Sequence, residues 1–154
     1  MTTEERAQTA AGYKLRGEYN CCQAVLKVYE DELRAAGMSM DALLQLGAGF
    51  AGGMGCMEAT CGSLIGAAMV AGIKSGGRRT PTLSKQLLAA FAQKSGATLC
   101  KELKGRDTGV VLCPCDRCVY NAVTALETVL ETARAQEAAL LAAVPAAERA
   151  CSVQ

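Results

Sequence analysis

Nine cysteines and no histidine bound the chemistry open to this chain of 154 residues. Without an imidazole there is no Ser-His-Asp or Cys-His catalytic pair, no histidine metal ligand and no C-x-x-C-H haem attachment site. Reactive groups must come from Cys, Asp/Glu, Lys, Arg or the backbone. The cysteines are Cys21 and Cys22, Cys56 and Cys61, Cys100, the trio Cys113, Cys115 and Cys118, and Cys151 near the end. Cys115-x-x-Cys118 is a spacing that redox dithiols, zinc sites and iron–sulfur sites all use. Cys56-x4-Cys61 is a weaker pattern. Neither a ferredoxin run nor a zinc finger is present, so a shared site has to be assembled from distant segments by the fold.

The elements that must position these thiols read as helices. Thr2-x-x-Glu5 has the form of a capping box, opening a helix to about Arg16. Asn20 is a good N-cap for a second helix carrying Val25, Leu26, Tyr29 and Leu33, which the spacing predicts to run to Gly37. Ser39 caps a short third helix with Leu43, Leu44 and Leu46. Residues 47–55 hold five glycines in nine positions and read as a joint rather than a helix. Thr60 offers a cap for a helix from Cys61 to about Lys74, and Thr80-Pro81 opens another that ends at Gly96. A short helix from Thr98 to Lys104, a loop over 105–114 and a long last helix carrying Val119, Val123, Leu126 and Leu130 complete the chain. No stretch alternates as a strand does. The expected fold is all-α: a compact single-domain bundle over 1–134, a glycine-rich joint at 47–55, and a helical extension with a frayed tail over 135–154. On this map eight cysteines fall at helix starts. Free amides and the helix dipole there favour anions, so such thiols ionise more readily.

Composition narrows the setting. Hydrophobic residues make up 51% and charged residues 20%, and the net charge is +1. Near-neutrality argues against nucleic acid or an anionic membrane as the main partner. No secretory signal is read at the N-terminus, and the run from Gly62 to Ile73 is too short to span a bilayer. A cytoplasmic location is expected. In a reducing compartment many cysteines point to metal binding or thiol redox chemistry rather than a disulfide scaffold.

Four ordered blocks resemble a known family. Asn20-Cys21-Cys22-Gln23-Ala24-Val25, the centre Gly52-Gly53-Met54-Gly55-Cys56 with Glu58-Ala59-Thr60-Cys61-Gly62-Ser63-Leu64-Ile65-Gly66-Ala67, the segment Cys100-Lys101-Glu102-Leu103-Lys104-Gly105, and Cys115-x3-Val119-x2-Ala122 are similar to the C-GCAxxG-C-C family of redox-active proteins. The resemblance spans roughly residues 12–130. It implies Cys21, Cys61, Cys100 and Cys115 as hallmark cysteines, with Cys118 competing for the last place. Cys22, Cys113 and Cys151 look like additions, whereas Cys56 occurs in many relatives. The family is also similar to a domain of split-Soret cytochrome c, which implies an iron–sulfur cluster, without the haem part.

The expected function is therefore a small cysteine-based redox protein. Cys21, Cys61, Cys100, Cys115 and Cys118 would hold an iron–sulfur cluster for electron transfer. Two alternatives stay open. One is metal-free thiol–disulfide exchange, with Cys61 as the attacking thiolate and Cys56 or another nearby thiol resolving. The other is a protein-binding module stapled by zinc on four cysteines. A redox protein is the expected partner, and a second copy of the chain is compatible with a shared centre. Arg78-Arg79 beside Gly76-Gly77 reads as a solvated turn ahead of a phosphate contact, Glu58 as a helix cap or a group that orients or protonates, and Lys101 and Lys104 as solvent-facing.

Overall fold

The capping box forms as its spacing predicts. In the computed structural model, which describes residues 1–144, the Glu5 amide donates to Thr2 Oγ1 at 3.1 Å and Thr2 N–H donates to the Glu5 carboxylate at 2.7 Å. This box starts α1 (Thr3–Leu15). A second capping box, Asn20 with Gln23, starts α2 (Cys21–Val28). Asn20 Nδ2 also reaches the carbonyls of Gly47 and Ala48, and Gln23 Nε2 that of Leu44. One pair of side chains thus both starts α2 and anchors α4 (Met40–Ala48) against it.

The single helix expected from Asn20 to Gly37 is two. The chain turns at Tyr29 (φ −102°, ψ 13°), separating α2 from α3 (Glu30–Ala35). Tyr29 is fully buried and its hydroxyl donates to Glu127 at 2.6 Å, so tertiary burial of this ring wins over helical continuity. The glycine joint also differs in detail. Gly47 and Ala48 finish α4, and a wide π-type turn covers Gly53–Met57 with Met54 and Met57 in the left-handed region. Gly53 is required there. Its φ is +58°, and a Cβ would lie 2.6 Å from the Cys100 Cβ and 3.0 Å from the Ala59 carbonyl.

After the joint come α5 (Gly62–Lys74), α6 (Thr80–Ser95), α7 (Cys100–Lys104) and α8 (Cys115–Ala143). Two caps shift by one residue from expectation. Cys61 rather than Thr60 caps α5, because Thr60 pairs with Leu99 in an isolated antiparallel bridge. Arg79, at φ 55°, precedes α6, which places Thr80 inside its first turn. Gly96 ends α6 as read. No strand occurs among the described residues, and the architecture is all-α.

The 29-residue α8 is the spine, packed against α1, α6, α5 and α2. Val25, Leu26, Leu64, Leu87, Phe91, Val119 and Leu126 form the shared core, each 1% exposed or less. Each such side chain contributes about 1.5–3 kcal/mol of burial. α2 and α5 approach almost to backbone contact: a Cβ on Gly66 would sit 2.7 Å from the Cys22 carbonyl oxygen. Beyond Leu130, α8 continues to Ala143 with most of its side chains exposed. No helix among the described residues is long and apolar enough to cross a membrane. The end of the expected tail, with Cys151, lies outside the described residues.

Candidate functional site

Four helix starts meet at one end of the bundle, and each brings a thiol. Cys21 is the first residue of α2, Cys61 the N-cap of α5, Cys100 the first residue of α7 and Cys115 the first of α8, with Cys118 one turn on. The bridge that displaced Thr60 from its cap does the positioning. Cys61 N–H donates to the Thr98 carbonyl at 2.8 Å, and Cys100 N–H donates to that of Ala59 at 3.0 Å, which ties the starts of α5 and α7 side by side. Cys21, Cys61, Cys100 and Cys118 are buried, and Cys115 is half-buried.

The thiols sit in two adjacent, electrostatically coupled pairs, and the Cys118 thiol donates to the Cys113 carbonyl at 3.5 Å. Cys61 is paired with Cys118, and Cys21 with Cys115. In the first pair, the neighbouring Cys118, helped by Ser63, overcomes burial and pulls the Cys61 thiol down to about 6. Ser63 Oγ lies 3.1 Å from Cys61 Sγ and 3.2 Å from the Cys118 carbonyl. In the second pair, the neighbouring Cys21, helped by Lys104, pulls Cys115 down to about 5. Their partners move the other way: Cys118 and Cys21 are raised, first by the thiol beside each and then by burial. Within each pair one thiol is drawn down and its neighbour pushed up. Cys100 feels both thiolates, and burial followed by their charge raises it.

Lys104, expected to face solvent, instead joins the two pairs. Its ammonium donates to the Cys113 carbonyl at 2.8 Å and to Cys118 Sγ at 3.5 Å, and its charge acts on Cys115 as well. Burial opposes that charge, but Cys118, Cys115 and Cys61 outweigh it and hold the ammonium in its protonated form. Lys104 and Ser63 are the two site residues that sequence reasoning missed. The available signal was spacing: Lys104 lies four residues after Cys100 on one short helix, hence on the same face.

The remaining candidates lie around this centre. Cys22 is fully buried, with Sγ 4.0 Å from the Met69 sulfur, and burial followed by the Cys61 charge pushes it up to about 12. Cys113 is buried and accepts from Asn121 Nδ2 at 3.7 Å. Cys56 is exposed, its thiol facing the Gly53 carbonyl at 3.8 Å, and the thiol paired with Cys61 is Cys118. Glu58, read as a helix cap, is instead an exposed carboxylate bound to Arg106 at 2.7 Å and Lys101 at 3.1 Å.

Among the described residues all eight cysteines are unpaired thiols, and no three Cys, Asp or Glu side chains are grouped to ligate a single metal ion. The arrangement is two plus two. Four thiols of this kind match the donor set of a thiolate-bound iron–sulfur cluster in type and number. Cys21, Cys61 and Cys118 are buried and Cys115 half-buried, and helix starts and one ammonium stabilise their charge. The same pairs also suit dithiol chemistry, because a thiolate beside a thiol is the reduced form of a disulfide.

No curated protein and no solved structure matches the chain. The sequence profile of a family described as "Putative redox-active protein (C_GCAxxG_C_C)" matches residues 19–129, a span that contains every helix start contributing a thiol, and the chain belongs to that family.

Proposed function

We propose that the protein is a small redox carrier in which Cys61 and Cys118 on one side, and Cys21 and Cys115 on the other, hold an iron–sulfur cluster, with Cys100 alongside. The observation that carries this reading is the meeting of the two thiol pairs around Lys104. A single tetrahedral ion asks for all its ligands in one shell, whereas two pairs favour a group with more than one metal centre. When bound, a cluster supplies one-electron transfer. The chain's own residues supply the setting. The starts of α5 and α8 stabilise thiolate charge, Ser63 lies against the Cys61 sulfur, and Lys104 offsets negative charge beside Cys118. Cys115, the half-buried member, is nearest to solvent among the four and marks the face an electron partner would approach. The test is iron, acid-labile sulfide and visible absorption on anaerobically purified protein. Matching iron and sulfide, lost in C21S, C61S, C115S and C118S but kept in C56S, is the expected result. Iron-free, sulfide-free protein sinks the cluster.

The opposite shifts within each pair favour a second reading, dithiol exchange at Cys61 and Cys118. The Cys61 thiolate attacks a partner's disulfide and forms a mixed disulfide, releasing one partner thiolate. Cys118 then gives its proton to that thiolate and attacks the Cys61 sulfur. A Cys61–Cys118 disulfide forms and the second partner thiolate leaves, so two electrons pass to the partner. Metal-free protein that reversibly loses two thiols per chain on incubation with oxidised glutathione, and does not in C61S, establishes this reading instead.

A further inference from the structure

About 20 Å along α5 from the thiols, at a rise of about 1.5 Å per residue, an open cavity of about 130 Å³ lies between the α5–α6 turn and the outer half of α8. Leu83 and Leu130 give it an apolar floor. Arg78, Arg79 and Arg134 stand around it, with Glu137 at the rim. The distribution of arginine partners sets this place apart. Of the eight arginines in the described residues, Arg6, Arg16, Arg34 and Arg106 hold carboxylates, and Arg117 lies over the Tyr120 ring. The three without an ion pair or an aromatic partner among the described residues are the three at this cavity. Lys74, also in its wall, is already bonded to Glu32. Three guanidinium groups against Glu137 leave an unmatched charge of +2.

Size and charge together select the ligand. The cavity is open and roomy enough for several waters, so a phosphoryl group fits in it while the rest of its molecule reaches solvent. Guanidinium forks bind phosphate oxygens in bidentate fashion, and a phosphate dianion matches the unmatched charge. We infer that this cavity binds the phosphoryl group of a small molecule, with Arg78, Arg79 and Arg134 as the recognising side chains. The inference does not depend on what the cysteines hold, because the two sites lie at opposite ends of the bundle.

The experiment is titration of the full chain with inorganic phosphate, pyrophosphate and ADP, by calorimetry and by backbone amide NMR. One saturable site is expected, with shifts at Gly76, Gly77, Thr80 and Thr82 and affinity that falls with salt. R79A/R134A should weaken binding at least tenfold, R79K/R134K less so, and R117A not at all, with helical circular dichroism unchanged in each. Equal affinity for phosphate and ADP assigns recognition to the phosphoryl group alone, while tighter ADP binding assigns it to a larger phosphorylated molecule. Absence of saturation by about 1 mM for all three probes overturns the inference, as does binding that R79A/R134A leaves intact or shifts confined to other helices.

Discussion

A cysteine is a weak acid with an ordinary value near 9.0, and its neighbours decide whether it is a nucleophile, a ligand or a small apolar side chain. Cys22 and Cys61 show the range. Both are buried near the start of a helix, yet Cys22 faces a methionine sulfur and is pushed up, while Cys61, beside Cys118 and Ser63, is drawn down. Ultraviolet thiolate absorbance of metal-free protein, taken as the difference from C61S, should therefore show Cys61 titrating with a half-point near pH 6. In C118S that half-point should move up by a unit or more as the neighbouring thiol is lost. Lys104→Met should raise the half-points of both Cys61 and Cys115, since it removes the ammonium that both thiolates see; unchanged half-points would refute its role. Helix-start placement was legible for these thiols from caps and spacing. The pairing was not, because Cys61 and Cys118 are 57 positions apart and nothing local relates them.

At the scale of elements, the motif words of the sequence turn out to be joints. In Asn20-Cys21-Cys22-Gln23, the asparagine and glutamine form the capping box and bond the last carbonyls of α4, so they orient Cys21. Asn20→Ala should cost about 1 kcal/mol from the cap alone, more with the α4 bonds, read as a lower denaturation midpoint. Gly66 serves the same joint from the other side. Gly66→Val would drive a side chain into the Cys22 carbonyl, and a loss of about 1–3 kcal/mol is expected for such overpacking. If urea unfolding shows no loss, the α2–α5 approach is not as close as described. The break at Tyr29 was not legible. Its spacing fits one helix, and only Glu127, nearly a hundred residues away, makes a turn there worth forming.

For the whole molecule, the opposed thiols give stability a pH dependence with a definite sign. Cys61 and Cys115 titrate lower in the folded chain than in the unfolded one. Their contribution is therefore complete above about 9 and is lost as pH falls through about 6 and then 5. Cys118 and Cys21 are raised, so they oppose folding only above the ordinary value, where the unfolded chain ionises them and the folded chain does not. Metal-free protein should thus be most stable near pH 9, with Tm falling on both sides. A profile flat between pH 5 and 9 would contradict the thiolate assignments. In C61S/C115S the acid-side slope over that window should shrink.

Composition and local pattern were enough to determine the class of fold and the class of chemistry. Helical spacing and caps act within four residues of each other, so the caps Thr2, Asn20 and Ser39, the stop at Gly96 and the apolar face of α8 could be read directly. The absence of histidine removed most catalytic schemes without any structure, and the cysteine positions pointed to helix starts. What the tertiary structure decided lies beyond that range. It set the Cys61–Cys118 and Cys21–Cys115 pairs, the bridge of Thr60 to Leu99 that moved a cap onto Cys61, and the inward turn of Lys104. These depend on which helix ends meet. Many packed contacts settle that together, and no single stretch of chain encodes it.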